Sequence, residues 1–360
     1  MPRPNRSDVY DPTQHGVYHC FNRTTRRSYL HGIDPLTEYD YSHRRDWFRD
    51  RMKFLIKHFC LDLLSYAIMP NHWHCVIRNR PDLVEQLSDR QVAIRWLSLT
   101  SRKPTRGNKG GKIRKSEIDS IVNQPERIET LRVRLSDISW FVKLMCQTVA
   151  RQCNIEDGCT GHFFEDRFKL KPLEEQEDVL ACMAYVDLNP LRAHLADLLD
   201  DPNAIVSIRE RLETLDGNEV DTSDWLSPIE LFGEADGLPG AVVNDLSLEE
   251  VQSRRRQMGE NLGCLPMTFE AYVSLLWQLA IESRPDLQGN PALTAGQMRE
   301  VCWRDGQPID LELLKEQIKE LRRRSNADLG GHAAIASLKF MARNIPSRKD
   351  RAGAKLAPPK

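Results

Sequence analysis

Two apolar segments joined by a two-residue turn signal constrain the fold of this chain more than any other feature. LDLLSYAIM (residues 61–69) and HWHCVI (residues 72–77) are rich in residues that favour β-strands. Pro70 and Asn71, which separate the two segments, are both frequent turn formers. The pattern therefore predicts a β-hairpin, which is a unit of an antiparallel sheet.

The second segment carries a pair of histidines. Alternate residues of a strand project to the same face, so His72 and His74 share one face, while Trp73 and Cys75 point toward a core on the other. Two imidazoles on one face are able to bind a single metal ion as adjacent ligands. By spacing alone such a pair is more often structural than metal-binding. Only residues elsewhere in the chain distinguish these two roles.

The first 199 residues alternate between strand-like and helical patterns. Hydrophobic spacing predicts further strands over residues 16–23 and 161–174, and helices over residues 41–59, 81–99, 136–153 and 174–199. Ser136 is the expected N-cap of the third of these helices. Pro190 is expected to end or bend the fourth.

The charge distribution is uneven, although the net charge is only −1. Residues 196–250 carry 15 acidic side chains and only two arginines, a net charge of −13, so the other 305 residues carry +12. We therefore expect a basic protein in which an acidic connector, residues 200–251, leads to a mainly helical region over residues 252–345. Residues 346–360 have the composition of a disordered basic tail.

Cysteine usage and the lack of long apolar runs indicate a cytoplasmic protein. The nine cysteines are scattered and contain no Cys-x-x-Cys pair, which argues against a disulfide framework and against a zinc ribbon. We expect reduced, mostly buried thiols. No run approaches the roughly 18 apolar residues of a membrane span, and the first residues lack the apolar stretch of a secretory signal.

Basic residues gather in three places where they are able to contact phosphate. Residues 101–115 hold seven basic side chains, four Gly or Pro residues and no acid, which predicts a mobile loop. A second group follows the first strand, and a third alternates along residues 167–171 and so faces one side. For each residue alone, a solvated surface charge is the alternative. The phosphate contacts that we expect are Arg23, Arg26, Arg27, Arg102, Lys103, Arg167, Lys169 and Lys171.

The helix predicted over residues 174–199 brings a phenol and an amide together. Tyr185 and Asn189 are four residues apart and therefore share one face of the helix. Taken separately, Tyr185 is more often a boundary residue with a hydrated hydroxyl. Asn189, directly before Pro190, is more often a helix C-terminal cap.

Three blocks of the sequence together resemble a known family. AIMPNHWHCVI (67–77), GHFFEDRFK (161–169) and YVDLNPLRAHL (185–195) resemble the motifs of the HUH single-tyrosine transposases, and among these the REP-associated tyrosine transposases. The blocks stand in the family's order, and the resemblance covers residues 14–199. It implies that His72 and His74 match the family's metal-binding pair, Tyr185 its nucleophile and Asn189 the third ligand.

The resemblance also implies a fold and a reaction. The fold is α+β: a ferredoxin-like, RRM-like antiparallel sheet with helices on one face, formed by residues 1–199 with a basic insertion over 101–135. The reaction is cleavage and rejoining of single-stranded DNA, with hairpins, through a 5′-phosphotyrosine on Tyr185, with Mg²⁺ or Mn²⁺ as cofactor. A nucleoid-associated location and a homodimer are compatible with it. The insertion and everything after residue 199 depart from the family pattern, which leaves the choice of DNA target open.

Two other functions remain open on the residues alone. A non-catalytic protein of the same fold would grip a hairpin in DNA or RNA and would not need the histidine pair or Tyr185. A metal-dependent hydrolase or a structural zinc protein would use His72 and His74 and leave Tyr185 incidental. A zinc site would more typically bring thiolates, whereas Cys75 is expected to point away from the histidines.

Overall fold

A four-stranded antiparallel sheet lies at the centre of the described part of the protein. The computed structural model describes residues 6–35, 37–100, 113–215, 225–230, 263–287 and 301–328. The strands of the sheet are β1 (Gly16–Arg23), β2 (Leu61–Ile68), β3 (His72–Asn79) and β4 (Lys169–Leu173). Their order is β2-β3-β1-β4, and neighbouring strands are antiparallel. This is the strand order of a ferredoxin-like fold, so the predicted α+β class and the predicted hairpin are confirmed.

Helices cover the sheet. In the described ranges they are α1 (His43–Ile56), α2 (Pro81–Glu85), α3 (Asp89–Thr100), α4 (Lys115–Val122), α5 (Pro125–Leu135), α6 (Ile138–Glu156), α7 (Gln176–Asp187), α8 (Asn189–Arg192), α9 (Ser207–Leu215), α10 (Phe269–Ser283) and α11 (Leu311–Asp328). None of these described helices is both long enough and apolar enough to cross a membrane.

The sheet separates two hydrophobic clusters. Trp73 and Cys75 belong to the cluster on one face, together with apolar residues of α1 and α6, the helices that connect the strands. Val76, the residue after Cys75 on β3, belongs to the cluster on the other face, which includes residues of α7, α10 and α11. The two connecting helices therefore lie on one face, as expected, while the helices that follow β4 cover the face that the histidine pair occupies.

The helix that begins near residue 138 has a different cap from the one predicted. The Asp137 side chain accepts a hydrogen bond from the backbone N–H of Ser139 at 2.6 Å and is the N-cap of α6. The hydroxyl of Ser136 instead donates to the carbonyl oxygen of Pro12 at 3.2 Å. The prediction of Ser136 as N-cap was wrong by one residue, because Ser136 is used in a tertiary contact.

The helix predicted over residues 81–99 is two helices, α2 and α3. The N–H of Ser88 donates to the Gln91 side chain at 2.8 Å, and the N–H of Gln91 donates to the Ser88 hydroxyl at 3.3 Å. These reciprocal bonds form a capping box that starts α3 anew. The Ser-x-x-Gln spacing was the sequence signal for this break.

The strand predicted over residues 161–174 is confined to Lys169–Leu173. Before it, Phe164 forms a single antiparallel bridge with Thr24, in which the N–H of Thr25 donates to the Phe163 carbonyl at 2.9 Å. The chain then leaves the ladder, and the Asn22 amide donates to the Asp166 carbonyl at 2.9 Å. Arg167 therefore lies outside the strand, and the predicted row of three alternating basic residues is reduced in β4 to Lys169 and Lys171.

Part of the predicted acidic connector is folded onto the sheet. Within the described residues 201–215, α9 packs against β2, where the Arg211 guanidinium donates to the Leu64 carbonyl at 2.7 Å. The buried Asp187 carboxylate at the end of α7 accepts hydrogen bonds from Ser207 at 2.5 Å and from the Tyr272 hydroxyl at 2.6 Å. The predicted domain boundaries stay a prediction, and these bonds tie α7 to α9 and α10.

Candidate metal and nucleophile site

The register of the sheet gathers polar side chains on one face. Arg23 of β1 lies opposite His72 of β3, and Lys171 of β4 lies opposite His19 of β1. Directly paired residues of an antiparallel sheet project to the same face, and so do residues two apart along a strand. His74 therefore shares this face with all four of them.

Helix α7 brings the predicted nucleophile to this face. The Tyr185 ring lies edge-on to the His74 ring, with ring centroids 5.4 Å apart. The His72 and His74 rings are also edge-on to one another, at 5.0 Å. The structure thus brings Tyr185 to the histidine pair, although Tyr185 lies more than a hundred residues after His72 and His74 in the sequence.

Each histidine of the pair has a side-chain partner at its Nδ1 atom. His72 Nδ1 is 2.7 Å from the Asn71 amide oxygen, and His74 Nδ1 is 3.0 Å from His19 Nε2. His74 is fully buried, and its Nε2 has no hydrogen-bond partner among the described residues. His19 was not among the predicted site residues. The sequence placed His19 on a predicted strand, two residues before Phe21. It did not indicate which strand would lie beside His19 in the sheet.

Burial keeps these imidazoles neutral. Burial, and then the charge of Arg23, lowers the pKa of His72 to about 4. Burial also holds the pKa of His74 well below its usual value, and it lowers the pKa of His19 to about 3. A neutral imidazole has the ring lone pair that a metal ion requires, so the ligand form of both predicted metal-binding histidines prevails at neutral pH.

Asn189 and Arg192, on the short helix α8, complete the surroundings of Tyr185. Asn189 follows Tyr185 by four residues, and its amide nitrogen is buried without a partner in the part of the chain that the structure describes. The same holds for Nη1 of Arg192. Burial, followed by the charge of Arg322, lowers the pKa of Arg192 to about 10. A charged ligand bound here would satisfy these donors and the Nε2 of His74, so the unsatisfied atoms are consistent with a binding site.

The predicted donor set suits an open site for Mg²⁺ or Mn²⁺ better than a closed structural zinc site. The described residues contain no group of three or more histidine, cysteine, aspartate or glutamate side chains arranged to hold a metal ion. The predicted set has only two such residues, His72 and His74, and takes an amide as its third ligand. Two neutral imidazoles and an amide oxygen leave coordination positions open for phosphate and water, and Cys75 lies in the cluster on the other face.

The last described helix covers Tyr185. Leu314 and Ile318 of α11 are buried in the same cluster as Tyr185, and the side chain of Ser325 forms a hydrogen bond with it. Only 5% of Tyr185 remains exposed. Burial raises the pKa of the Tyr185 phenol to about 12, although Ser325, Arg192 and Arg322 act in the opposite direction. The prediction of a mainly helical region over residues 252–345 includes α11, but nothing in the sequence indicated which surface this helix covers.

The predicted phosphate contacts are distributed around this face. Arg23 pairs with Glu165, and Lys171 pairs with Asp328. Arg167 is exposed in the segment before β4, and Lys169 is half-buried at its start. Arg102 and Lys103 lie outside the described residues.

Arg26 and Arg27 occupy a turn that requires an uncommon backbone conformation. Their φ angles are +55° and +58°, in the left-handed region that side chains other than glycine rarely adopt. The turn is fastened to the β2–β3 hairpin, because the N–H of Thr24 donates to the Asn71 carbonyl at 2.9 Å. Strain of this kind persists only where the surrounding structure enforces it, so these two arginines are held beside the end of β3 that carries His72.

Comparison with known proteins gives one similar solved structure to report. No protein-family model matches the chain, and no curated protein matches its sequence. The fold is similar to that of a REP-associated tyrosine transposase solved in complex with a REP hairpin, which is 12% identical. The alignment covers 69% of this chain and 99% of that chain, with a TM-score of 0.31. This is a protein of the kind that the three sequence blocks resemble.

Proposed function

We propose that this protein cleaves and rejoins single-stranded DNA by transesterification, through a covalent link to Tyr185. The observation that carries the proposal is the proximity of half-buried His72 and buried His74 and Tyr185 on one face of the sheet, where the Nε2 of His74 has no partner within the described residues. The resemblance of the three sequence blocks to tyrosine transposases supports the same reading of these residues.

Each residue of the site has a separate role in the proposed reaction. His72, His74 and Asn189 would hold a Mg²⁺ or Mn²⁺ ion, which when bound polarises a phosphodiester and offsets the negative charge that develops on it. Tyr185 supplies the nucleophile. A phenol with a pKa of about 12 is a weak nucleophile at neutral pH, so it depends on this neutralisation of charge and on the nearby guanidinium of Arg192.

The proposed reaction conserves the number of phosphoester bonds. The Tyr185 oxygen bonds to phosphorus, the bond between phosphorus and the 3′ oxygen breaks, and the proton of the phenol ends on the released 3′-OH. A 5′-phosphotyrosine results. Because the ester bond is retained, another 3′-OH is able to attack the phosphotyrosine and rejoin DNA without ATP. The basic residues on the same face, Lys169, Lys171 and Arg23, would hold the DNA backbone.

A second candidate function is favoured by one observation. Tyr185 is 5% exposed beneath α11, so a DNA strand does not reach the hydroxyl in this arrangement. A non-catalytic protein that binds a nucleic-acid hairpin on its outer surface would tolerate that burial. The two functions differ in whether a covalent adduct forms.

Covalent capture tests the proposal. The full chain is incubated with Mn²⁺ and labelled single-stranded oligonucleotides that carry a range of hairpins, and adducts are sought on a denaturing gel. We expect an adduct with wild type and none with Tyr185→Phe, while Tyr39→Phe, which changes an exposed phenol, serves as the matched control and retains it. Hairpin binding without any adduct would establish the non-catalytic function. Cleavage retained in Tyr185→Phe would establish a water nucleophile and a hydrolase.

A further inference from the structure

His19 lies at the centre of the polar face and has no role in the proposal so far. It is fully buried in the middle of β1, and its ring lies nearly parallel to the His74 ring, with centroids 5.2 Å apart. Its Nε2 atom is 3.0 Å from His74 Nδ1. A separation of 3.0 Å between two ring nitrogens is a hydrogen bond, which requires a proton on one nitrogen and a lone pair on the other.

The position of that proton decides whether His74 is able to bind a metal ion. If His74 Nδ1–H donates to His19, the Nε2 of His74 carries a lone pair and is a ligand. If His19 Nε2–H donates instead, the neutral His74 carries its proton on Nε2 and is not a ligand. A neutral imidazole has one proton, so its partner at one nitrogen fixes the state of the other.

His72 shows the arrangement that a ligand requires. The partner of its Nδ1 is the amide oxygen of Asn71, at 2.7 Å, and an amide oxygen only accepts. The Asn71 amide nitrogen donates in turn to the Arg27 carbonyl at 3.4 Å, which fixes the orientation of the amide. His72 therefore donates from Nδ1 and has its lone pair on Nε2. His74 reaches the same state only if His19 accepts.

We propose that His19 is a positioning residue whose Nε2 accepts a hydrogen bond from Nδ1–H of His74 and so holds the Nε2 lone pair of His74 ready for a divalent cation. This inference rests on the proposed function, because it assigns His74 as a ligand. His19 then carries its own proton on Nδ1, a buried atom that has no hydrogen-bond partner among the described residues.

Two substitutions separate the acceptor from the shape of the ring. His19→Phe keeps an aromatic ring in contact with Phe21 and His74 but removes the acceptor, whereas the amide oxygen of His19→Gln reaches the position of Nε2 and restores it. His58→Phe, a change to a buried histidine beside Phe54, is the matched control for loss of a buried imidazole.

The test measures Mn²⁺ affinity by calorimetry and the protonated nitrogen of His74 by nitrogen NMR of histidine-labelled full-length protein. We expect His19→Phe to bind Mn²⁺ about 10- to 100-fold more weakly, the range observed when the partner of a metal-binding histidine is removed. His19→Gln and His58→Phe should bind within about threefold of wild type. In wild type the proton of His74 should be on Nδ1, and in His19→Phe a signal from Nε2–H should appear.

The outcomes distinguish this inference from the proposed function. A His74 proton on Nε2 in wild type, or unchanged Mn²⁺ affinity in His19→Phe, overturns the role of His19 and leaves the covalent reaction of Tyr185 standing. If no Mn²⁺ binds to wild type and no DNA adduct forms, the proposed function fails and the inference fails with it. If His19→Phe does not fold, the wild-type spectrum and the affinity of His19→Gln still decide.

Discussion

Lys171 of β4 and Asp328, the last residue of α11, form an ion pair, with Nζ of the lysine 2.6 Å from Oδ2 of the aspartate. A side chain predicted to bind the DNA backbone is therefore bound by a carboxylate of the same chain. Since Ser325 of α11 also hydrogen-bonds Tyr185, one helix contacts both the proposed nucleophile and a predicted phosphate contact. Binding of DNA to this face must compete with α11.

The substitution Asp328→Asn should strengthen binding of single-stranded DNA. It removes the carboxylate that competes for Lys171, so we expect an affinity several-fold higher and a salt dependence steeper by about one counterion. The loss in stability should stay below about 1 kcal/mol because the pair is partly exposed. Fluorescence anisotropy at several salt concentrations measures both quantities. Glu312→Gln, at the exposed start of α11, is the control, and an unchanged salt dependence in Asp328→Asn would contradict the prediction.

The substitution Arg192→Met should stabilise the free protein while weakening DNA binding. Arg192 is only half-buried, but its Nη1 is buried without a partner in the described residues, and a buried donor without a hydrogen bond costs free energy that an apolar side chain does not. We expect a free energy of unfolding about 1–3 kcal/mol higher, measured by urea denaturation. Arg151→Met, at an exposed position of α6, should change neither quantity. A less stable Arg192→Met protein would show that the arginine has a structural role.

The phenol of Tyr185 should make stability fall in alkaline solution. Its pKa is about 12 in the folded protein, against about 10 when exposed, so between these pH values the unfolded chain releases a proton that the folded protein retains. Stability conferred by Tyr185 is therefore complete below pH 10 and is lost toward pH 12, at about 1.4 kcal/mol per pH unit. Urea denaturation of wild type and Tyr185→Phe across this range should show their difference shrinking with that sign. A constant difference would mean that the phenol is hydrated.

The carboxylate of Asp187 should make the C-terminal helices inseparable from the sheet. It accepts hydrogen bonds from Ser207 and Tyr272, which both lie beyond residue 199. Tyr272→Phe should cost about 1–3 kcal/mol, because one donor to a buried carboxylate is lost. A fragment of residues 1–199 should be less stable still, since it leaves Asp187 buried without these partners. Cooperative thermal unfolding of that fragment at the wild-type temperature would contradict this expectation.

The sequence predicted what depends on local periodicity. The shared face of His72 and His74, and the core position of Trp73 and Cys75, follow from the alternation of a strand, and the structure places all four accordingly. The hairpin followed from its turn residues. The proximity of Tyr185 to His74 did not follow from any spacing, and only the resemblance of the sequence blocks suggested it.

The rest of the site depends on contacts between distant segments. The contact of His74 with His19 is set by the register of β1 against β3, and that register is not predictable from the sequence of either strand alone. The position of α11 over Tyr185 is set by packing of Leu314 and Ile318 across the molecule. The failed strand prediction before Lys169 has the same cause, because Phe164 pairs with Thr24 in a register that does not continue that of β4, which leaves residues 165–168 outside the ladder.

The turn between β2 and β3 has a consequence for the engineering of this protein. Hairpin turns are usually where a sheet tolerates replacement and insertion best. Here the side chain of Asn71 fixes the proton of His72, and its carbonyl anchors the arginine turn after β1. Asn71→Gly would suit the turn and leave the strands paired, yet the ring of His72 would then be free to place its proton on either nitrogen. The β2–β3 turn, which looks like the easiest part of the sheet to replace, is therefore constrained at Asn71.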